Sequence, residues 1–114
     1  MSLEPCANGE EFLGLLADSH RQPVVIFKHS TRCPISAVAE REMSRFAAEH
    51  PDVLCRQVLV VEQRPLSLRV AEVTGVPHQS PQVLVLRDES VVWKASHYGI
   101  TCAEVALACA AAKG

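Results

Sequence analysis

The sequence predicts an α/β fold in which helices cover both faces of a mixed four-stranded sheet. Continuous apolar runs, such as "VVIF" at 24–27, are typical of strands that are buried on both faces. Between these runs, apolar residues recur every three or four positions, which is the spacing of amphipathic helices. The short turn "RDES" at 87–90 predicts that the last two strands pair antiparallel. The predicted order is α-β-α-β-α-β-β-α, and the helical crossovers imply parallel pairing of the other strands.

Length and composition limit the kinds of function. The 114 residues suffice for one domain, 1–114, with a hydrophobic core of its own. The formal net charge is −2 and no long run of one sign occurs, which argues against an electrostatic nucleic-acid binder. The apolar runs are too short to cross a bilayer. We therefore expect a globular domain whose partners are neither nucleic acid nor membrane.

The first half of the chain alternates helix and strand. A helix is predicted at 9–20, with Asn8 as its N-cap, and it precedes the first strand. The second helix has Pro34 in its first turn, where the missing N–H of proline costs no intrahelical hydrogen bond. This helix ends before Pro51, and the second strand follows at 53–61.

The second half repeats the alternation and adds the hairpin. Pro65 opens a third helix, which Gly75 is suited to end. Strands are predicted at 83–86 and 91–97, on either side of the tight turn. A Thr-x-x-Glu capping box at 101–104 then begins an alanine-rich last helix.

Cys33 lies just beyond the carboxyl end of the first strand and at the start of a helix. Ligands of open α/β sheets gather at such strand ends, and a helix start offers unpaired N–H groups and partial positive charge, which favour a thiolate. Arg32 and Lys28 would add positive charge if their side chains reach the sulfur, and Ser36 is placed to donate a hydrogen bond to it. The alternative is a buried structural cysteine, which this position and Pro34 make less favoured.

The cysteines indicate a reducing compartment. Their number is odd, their spacing is wide, and no Cys-x-x-Cys pair occurs, which disfavours a disulfide framework and a zinc knuckle. The start, "MSLEPCANGEEF", lacks the basic and apolar regions of a secretory signal. We therefore expect a cytoplasmic location.

The other cysteines are weaker candidates for a nucleophile. Cys55 and the apolar run around it are expected in the core. Cys102 lies in the first turn of the last helix, where partial reactivity is expected. Cys6 is expected in a mobile N-terminal stretch, and two less favoured roles stay open for it, resolving Cys33 or pairing between molecules.

The five histidines do not predict a metal site, because none are paired at the i, i+4 spacing of helical metal ligands. Hydrogen-bonding roles are favoured instead. His29 and His78 lie in segments predicted near Cys33, so one of them is a candidate to tune the thiolate.

Four stretches together resemble a known family. The chain resembles the thioredoxin-like superfamily as a whole and, more closely, the YtxJ-like proteins of the bacillithiol system, the monothiol bacilliredoxins. The stretches extend in order from the first strand to the last helix, which is more specific than a lone Cys-x-x-Ser. They are "FKHSTRCPIS" at 27–36, "VEQRPLS" at 61–67, "GVPHQSPQ" at 75–82 and "VVWKASHYGIT" at 91–101.

The resemblance implies a thioredoxin fold with one nucleophile, Cys33, and a cytoplasmic role in removing or exchanging bacillithiol on oxidised protein cysteines. No cofactor is implied beyond bacillithiol as co-substrate. In a thioredoxin-type sheet the proline before the third strand is cis and faces the nucleophile, and Pro81 has that position. Arg64 is a candidate to meet a carboxylate of the bacillithiol malyl group. The residues expected to bind the thiol are Lys28, His29, Arg64, Ser80 and Pro81.

A site with one cysteine restricts the chemistry to monothiol exchange, because a mixed disulfide at Cys33 has no second cysteine at position 36 to resolve it. Two other functions remain as alternatives. One is a monothiol glutaredoxin-like iron–sulfur carrier, although Pro34 and Ile35 stand where those carriers have Gly-Phe. The other is a thioredoxin-fold binding module in which the cysteine is incidental.

Overall fold

The computed structural model describes residues 3–113 of the chain. Its helices are α1 (Gly9–Asp18), α2 (Pro34–Glu49), α3 (Arg64–Thr74) and α4 (Cys102–Ala112). Its strands are β1 (Glu4–Pro5), β2 (Val24–His29), β3 (Leu54–Leu59), β4 (Gln82–Arg87) and β5 (Ser90–Ser96), and a 3₁₀ turn follows at His97–Gly99. The predicted order of helices and strands is confirmed from α1 to α4, with ends that differ by up to two residues.

The sheet is centred on β2, whose six residues are all buried. The strand order is β1-β3-β2-β4-β5, so β2 has a neighbour on each side and helices cover it on both faces. β2 pairs parallel with β3, as predicted. It pairs antiparallel with β4, where the sequence predicted a parallel strand. The reason is that α3 and the loop 75–81 return the chain to the sheet end at which β3 finished, so β4 starts beside the end of β2.

A second correction concerns the N-terminal stretch. The prediction of a mobile segment and a four-stranded sheet is wrong, because β1 adds a fifth strand that pairs parallel with β3. The backbone N–H of Cys6 continues this pairing and donates to the carbonyl of Gln57 at 2.9 Å. The side chain of Cys6 is fully buried. A two-residue strand is too short to leave a periodic apolar pattern in the sequence.

Alternation along the strands divides the apolar interior into two cores, one on each face of the sheet. The core beneath α2 and α4 includes Phe27, Met43, Phe46, Val83 and Val105. The core beneath α1 and α3 includes Phe12, Ile26, Val58, Val70 and Leu84. In residues 3–113, no helix combines the length and apolar character that crossing a membrane requires.

The predicted helix boundaries rest on specific polar contacts. The side chain of Asn8 accepts a hydrogen bond from the N–H of Glu11 at 2.9 Å, which confirms it as the N-cap of α1. Thr101 accepts from the N–H of Glu104 at 3.2 Å in the same way. Gly75 ends α3 with φ of 72°, a left-handed conformation that glycine adopts without steric cost.

Ser19 connects the end of α1 to the turn between β4 and β5. Its carbonyl accepts from the N–H of Asp88 at 2.8 Å and from the guanidinium of Arg87 at 2.9 Å. Its hydroxyl accepts from the N–H of Glu89 at 2.8 Å and donates to the carbonyl of Leu16. Because Ser19 is fully buried, these polar groups have no water to replace a lost bond.

We expect Ser19→Ala to lower the free energy of unfolding by about 1 kcal/mol, because the N–H of Glu89 loses the buried hydroxyl of Ser19 as its acceptor. Urea unfolding measures this change. Ser90→Ala is the matched control, since Ser90 is exposed at the same turn. Equal effects of the two substitutions would show that the Ser19 contacts do not stabilise the hairpin.

Candidate functional site

Cys33 occupies the N-cap position of α2, with extended backbone angles of −113° and 122°. Its N–H donates to the carbonyl of Ser30 at 3.4 Å, and its own carbonyl accepts from the N–H of Ala37 at 3.1 Å. No side chain caps this helix start, and within residues 3–113 the Cys33 sulfur has no hydrogen bond. The half-buried sulfur thus stands where the unpaired N–H groups of a helix attract an acceptor, and an ionised sulfur is such an acceptor.

Ser36 does not bond to the sulfur, so the predicted hydrogen bond is corrected. The hydroxyl of Ser36 is fully buried and accepts from the N–H of Ser30 at 2.9 Å. It also lies 2.7 Å from Nδ1 of His29. These contacts join the hydroxyl to the end of β2 and to the loop that precedes Cys33. Ser36 therefore holds the loop that carries Cys33 in place.

His29 is the buried support beneath this loop. Its ring stacks on Phe27 with centroids 5.4 Å apart, and burial lowers the pKa of His29 against the opposing effects of Glu40 and Glu62. The ring is therefore neutral at neutral pH. Thr31 in the loop donates to Glu62 at 3.1 Å, which ties the loop to the segment after β3.

Of the two residues beside Cys33, Pro34 belongs to the helix, whereas Arg32 lies in the loop before it. Pro34 is the first residue of α2, which confirms the predicted helix start. Arg32 is exposed, and within residues 3–113 its side chain forms no hydrogen bond or ion pair. A contribution of the Arg32 charge to the thiolate stays a prediction.

The Ser80–Pro81 peptide bond is cis, as the family resemblance implied. Pro81 is buried, and its carbonyl accepts from the N–H of His97 at 3.1 Å. The hydroxyl oxygen of Ser80 is buried without a hydrogen-bond partner among the described residues. This turn leads into β4, whose first residue pairs with the end of β2 near the Cys33 loop.

Lys28 lies on the opposite face of β2 from His29. It follows Val24 and Ile26 on the face beneath α1 and α3 and is fully buried. Its Nζ lies 3.3 Å from Nδ1 of His78, and burial lowers the pKa of Lys28 to about 8. The prediction that Lys28 meets the thiol directly is therefore corrected, because its amine is covered.

Around His78 the structure gathers groups that the sequence did not assign to one site. The buried hydroxyl of Ser67 lies 3.4 Å from the same Nδ1. Arg64 is exposed at the start of α3, and burial together with the charges of Lys28 and Arg64 lowers the pKa of His78. The sequence did not indicate Ser67 as a site residue, and it indicated His78 only as one of two histidines that could tune the thiolate. Both residues lie within the stretches that carried the family resemblance.

The other four cysteines are buried, which leaves Cys33 as the half-buried one. Burial raises the pKa of Cys55 to about 12 and that of Cys109 to about 11. Burial and Glu49 raise the pKa of Cys102, so its predicted partial reactivity is corrected. Burial and Glu11 likewise raise the pKa of Cys6. The core position predicted for Cys55 is confirmed.

No group of three or more His, Cys, Asp or Glu side chains in the described part of the chain is arranged to hold a metal ion. An iron–sulfur cluster shared between two chains through Cys33 and an external thiol would not need such a group. This finding therefore leaves the iron–sulfur alternative untested.

Comparison with known proteins gives one family match. The family model for the monothiol bacilliredoxin BrxC matches residues 5–105, which include every candidate site residue named above. The match spans the chain from β1 to the first turn of α4.

Solved structures agree on the fold. A thioredoxin-fold protein whose description classes it provisionally as an oxidoreductase is 29% identical, with a TM-score of 0.80 over 94% of this chain and 92% of its own. Thioredoxin from Fasciola hepatica is 14% identical, with a TM-score of 0.76 over 97% of this chain and 100% of its own. The short form of spinach chloroplast thioredoxin f is 18% identical, with a TM-score of 0.74 over 99% and 95%. The last two show the fold alone. The family match and the first structure support thiol redox activity in general.

We expect Lys28→Met to raise the free energy of unfolding at pH 7, because methionine fills the same volume without a buried charge. The folded-state pKa of Lys28 is about 8, below the ordinary lysine value of about 10.4. Between these pH values the unfolded parent binds the extra proton, so its stability rises with pH. The advantage of Lys28→Met should therefore shrink between pH 7 and pH 10.

Urea unfolding of the parent and of Lys28→Met at pH 7 and pH 10 measures the difference between their free energies of unfolding. The contributions of the other titrating groups are common to both proteins and cancel in this difference. Lys94→Met is the control, because Lys94 is exposed on β5. An advantage of Lys28→Met that is the same at both pH values would contradict the lowered pKa.

Proposed function

The chain belongs to the monothiol bacilliredoxin family, and on that premise we propose that it removes or exchanges bacillithiol on oxidised proteins through a mixed disulfide at Cys33. The observation that carries the proposal is the position of the sulfur. Among the cysteines, Cys33 alone is partly accessible, and it stands at an uncapped helix start. Such a position stabilises the thiolate that disulfide exchange requires.

The proposed cycle has two exchange steps. In the first, the Cys33 thiolate attacks the bacillithiol sulfur of a protein–bacillithiol disulfide. The old S–S bond breaks, the protein cysteine leaves as a thiolate, and the new S–S bond joins Cys33 to bacillithiol. In the second, the thiolate of a low-molecular-weight thiol attacks this disulfide. Cys33 is released as a thiolate and the attacking thiol forms a disulfide with bacillithiol, so no net electrons enter or leave.

The remaining site residues act around the sulfur. The backbone at Ser80, next to the cis bond at Pro81, is the proposed place at which an incoming peptide or thiol pairs. The guanidinium of Arg64 is exposed and available to a carboxylate of bacillithiol. His29 contributes indirectly, through the loop that carries Cys33. The co-substrate is bacillithiol, and no further cofactor enters the cycle.

The proposed compartment is the cytoplasm. All five cysteines are unpaired, and thiols stay reduced in that compartment. The partners are bacillithiolated protein thiols together with the low-molecular-weight thiol that frees Cys33.

We expect Cys33→Ser to lose release of bacillithiol from a bacillithiolated reporter protein, because a hydroxyl does not attack a disulfide at neutral pH. Intact-mass spectrometry follows both the reporter and the mixed disulfide on the parent chain. Cys102→Ala is the control and should keep the parent rate, since Cys102 is buried and lies on a different helix. Release by Cys33→Ser at the parent rate would overturn the mechanism.

Two further readouts separate the alternatives. Visible absorption after anaerobic purification, lost in Cys33→Ser, would favour an iron–sulfur carrier. Alkylation of Cys33 no faster than that of the buried Cys55 would favour a binding module without redox chemistry.

A further inference from the structure

One cluster of polar groups in the interior is not used by the proposed exchange steps. It consists of the Nζ of Lys28, the hydroxyl of Ser67 and the ring of His78, and the two buried groups approach the ring at its Nδ1, at 3.3 and 3.4 Å. Lys28 is 0% exposed and Ser67 is 1% exposed, whereas His78 is exposed. The ring therefore covers two buried polar groups and presents its other edge to solvent.

These contacts fix where the ring of His78 carries its proton. A lysine ammonium has only donors, so at neutral pH the Nζ of Lys28 can only donate to Nδ1. Nδ1 must then offer its lone pair, and the neutral ring carries its proton on Nε2. The lowered pKa of His78 keeps the ring in this neutral form. The exposed edge of the ring is thus a hydrogen-bond donor of fixed direction.

Positive charge surrounds this donor without compensation. Among residues 3–113, neither Lys28 nor Arg64 forms an ion pair with a carboxylate. Their charges are the two that act on His78. A buried ammonium with one neutral partner is an unusual arrangement, because its other two N–H groups stay unsatisfied. An anion at the exposed edge of the ring would relieve this unbalanced charge.

The cluster lies at the proposed substrate site. Lys28 is opposite Gln82 in the β2–β4 pair, and Pro81 precedes Gln82 directly. His78 is on the same loop as this cis bond, two residues before Ser80. A ligand whose sulfur is joined to Cys33 and whose chain runs along the cis-Pro81 turn would pass this side of the sheet end.

We propose that His78 recognises a carboxylate of the low-molecular-weight thiol through its Nε2–H, and that Lys28 and Ser67 are positioning residues that hold the ring in this tautomer. The inference rests on the proposed thiol exchange and adds to it the residue that selects an anionic thiol. Lys28 acts through His78, since its amine is covered, and Arg64 adds a second positive charge from the start of α3.

The test compares two mixed disulfides of one reporter protein, one with mercaptosuccinate, which has two carboxylates, and one with uncharged thioglycerol. The parent should release mercaptosuccinate faster. His78→Phe keeps the ring volume without the donor, and it should lower the ratio of mercaptosuccinate release to thioglycerol release about tenfold or more, as expected for the loss of a hydrogen bond to a charged group. His78→Gln should restore much of the rate, because its amide nitrogen can donate from a similar position.

The role of Lys28 has a separate readout in the pH profile. The charged groups that act on His78 are Lys28 from β2 and Arg64 from α3, and of these Lys28 alone titrates near neutral pH. The preference of the parent for mercaptosuccinate should fall as pH rises through about 8. Lys28→Met should show a weaker preference that does not change over this range.

An unchanged ratio of the two release rates in His78→Phe would overturn the inference, whether both rates stay at the parent level or fall by the same factor. Failure of the proposed thiol exchange can be distinguished from failure of this inference. If the exchange fails, the parent releases neither thiol from its mixed disulfide faster than Cys33→Ser does. In that case, titration of the Cys33→Ser protein with succinate still decides the matter. If the NMR resonance of the His78 Nε2–H shifts as succinate is added, and does not shift when Lys28→Met is also present, carboxylate recognition is supported. If the resonance does not shift in the Cys33→Ser protein, the inference is overturned.

Discussion

The site depends on a constraint at the end of β2, a strand buried on both faces that finishes with two polar residues. Because side chains alternate along a strand, Lys28 and His29 must enter opposite cores. A buried polar group without a hydrogen-bond partner costs stability in either core, and each of the two residues has a polar partner in its own core. His29 bonds to Ser36 and supports the Cys33 loop, whereas Lys28 meets His78 on the side of α3. One strand end thus organises the two halves of the site.

The arrangement leaves the helix start at Cys33 open. Two of the four α-helices in residues 3–113 begin beneath a side-chain acceptor, α1 at Asn8 and α4 at Thr101. At α2 the cap position holds a cysteine whose side chain accepts no hydrogen bond, while the loop before it is held by Ser36 and by Thr31. The loop is therefore stabilised from its buried side, and the orphan N–H groups remain available to a thiolate or to the disulfide that it attacks. The contacts that stabilise the loop lie on its buried side, and the N–H groups that favour a reactive thiolate lie at the open helix start.

The helices and long strands could be predicted because their signals are local, such as the Asn8 cap, the buried run at 24–27 and the glycine at 75. β1 could not, since two residues leave no periodic pattern and its pairing with β3 is formed by tertiary contact. The antiparallel direction of β4 also depends on how the loop 75–81 folds back, which no local pattern records. In the site, the strand end and Cys33 were predictable. The meeting of Lys28 with His78 was not, because the two are fifty residues apart in sequence.

Ser36 finally connects the monothiol chemistry to the fold. A serine three residues after the nucleophile looks like a lost second cysteine, but its hydroxyl holds the N–H of Ser30 and the ring of His29 at ordinary hydrogen-bond distances. A thiol is a weaker donor and acceptor with longer contacts, so a cysteine there would leave buried polar groups poorly satisfied, at a cost of about 1–3 kcal/mol each. In this structure the absence of an internal disulfide is therefore a consequence of the packing beneath the loop as well as of the residue type.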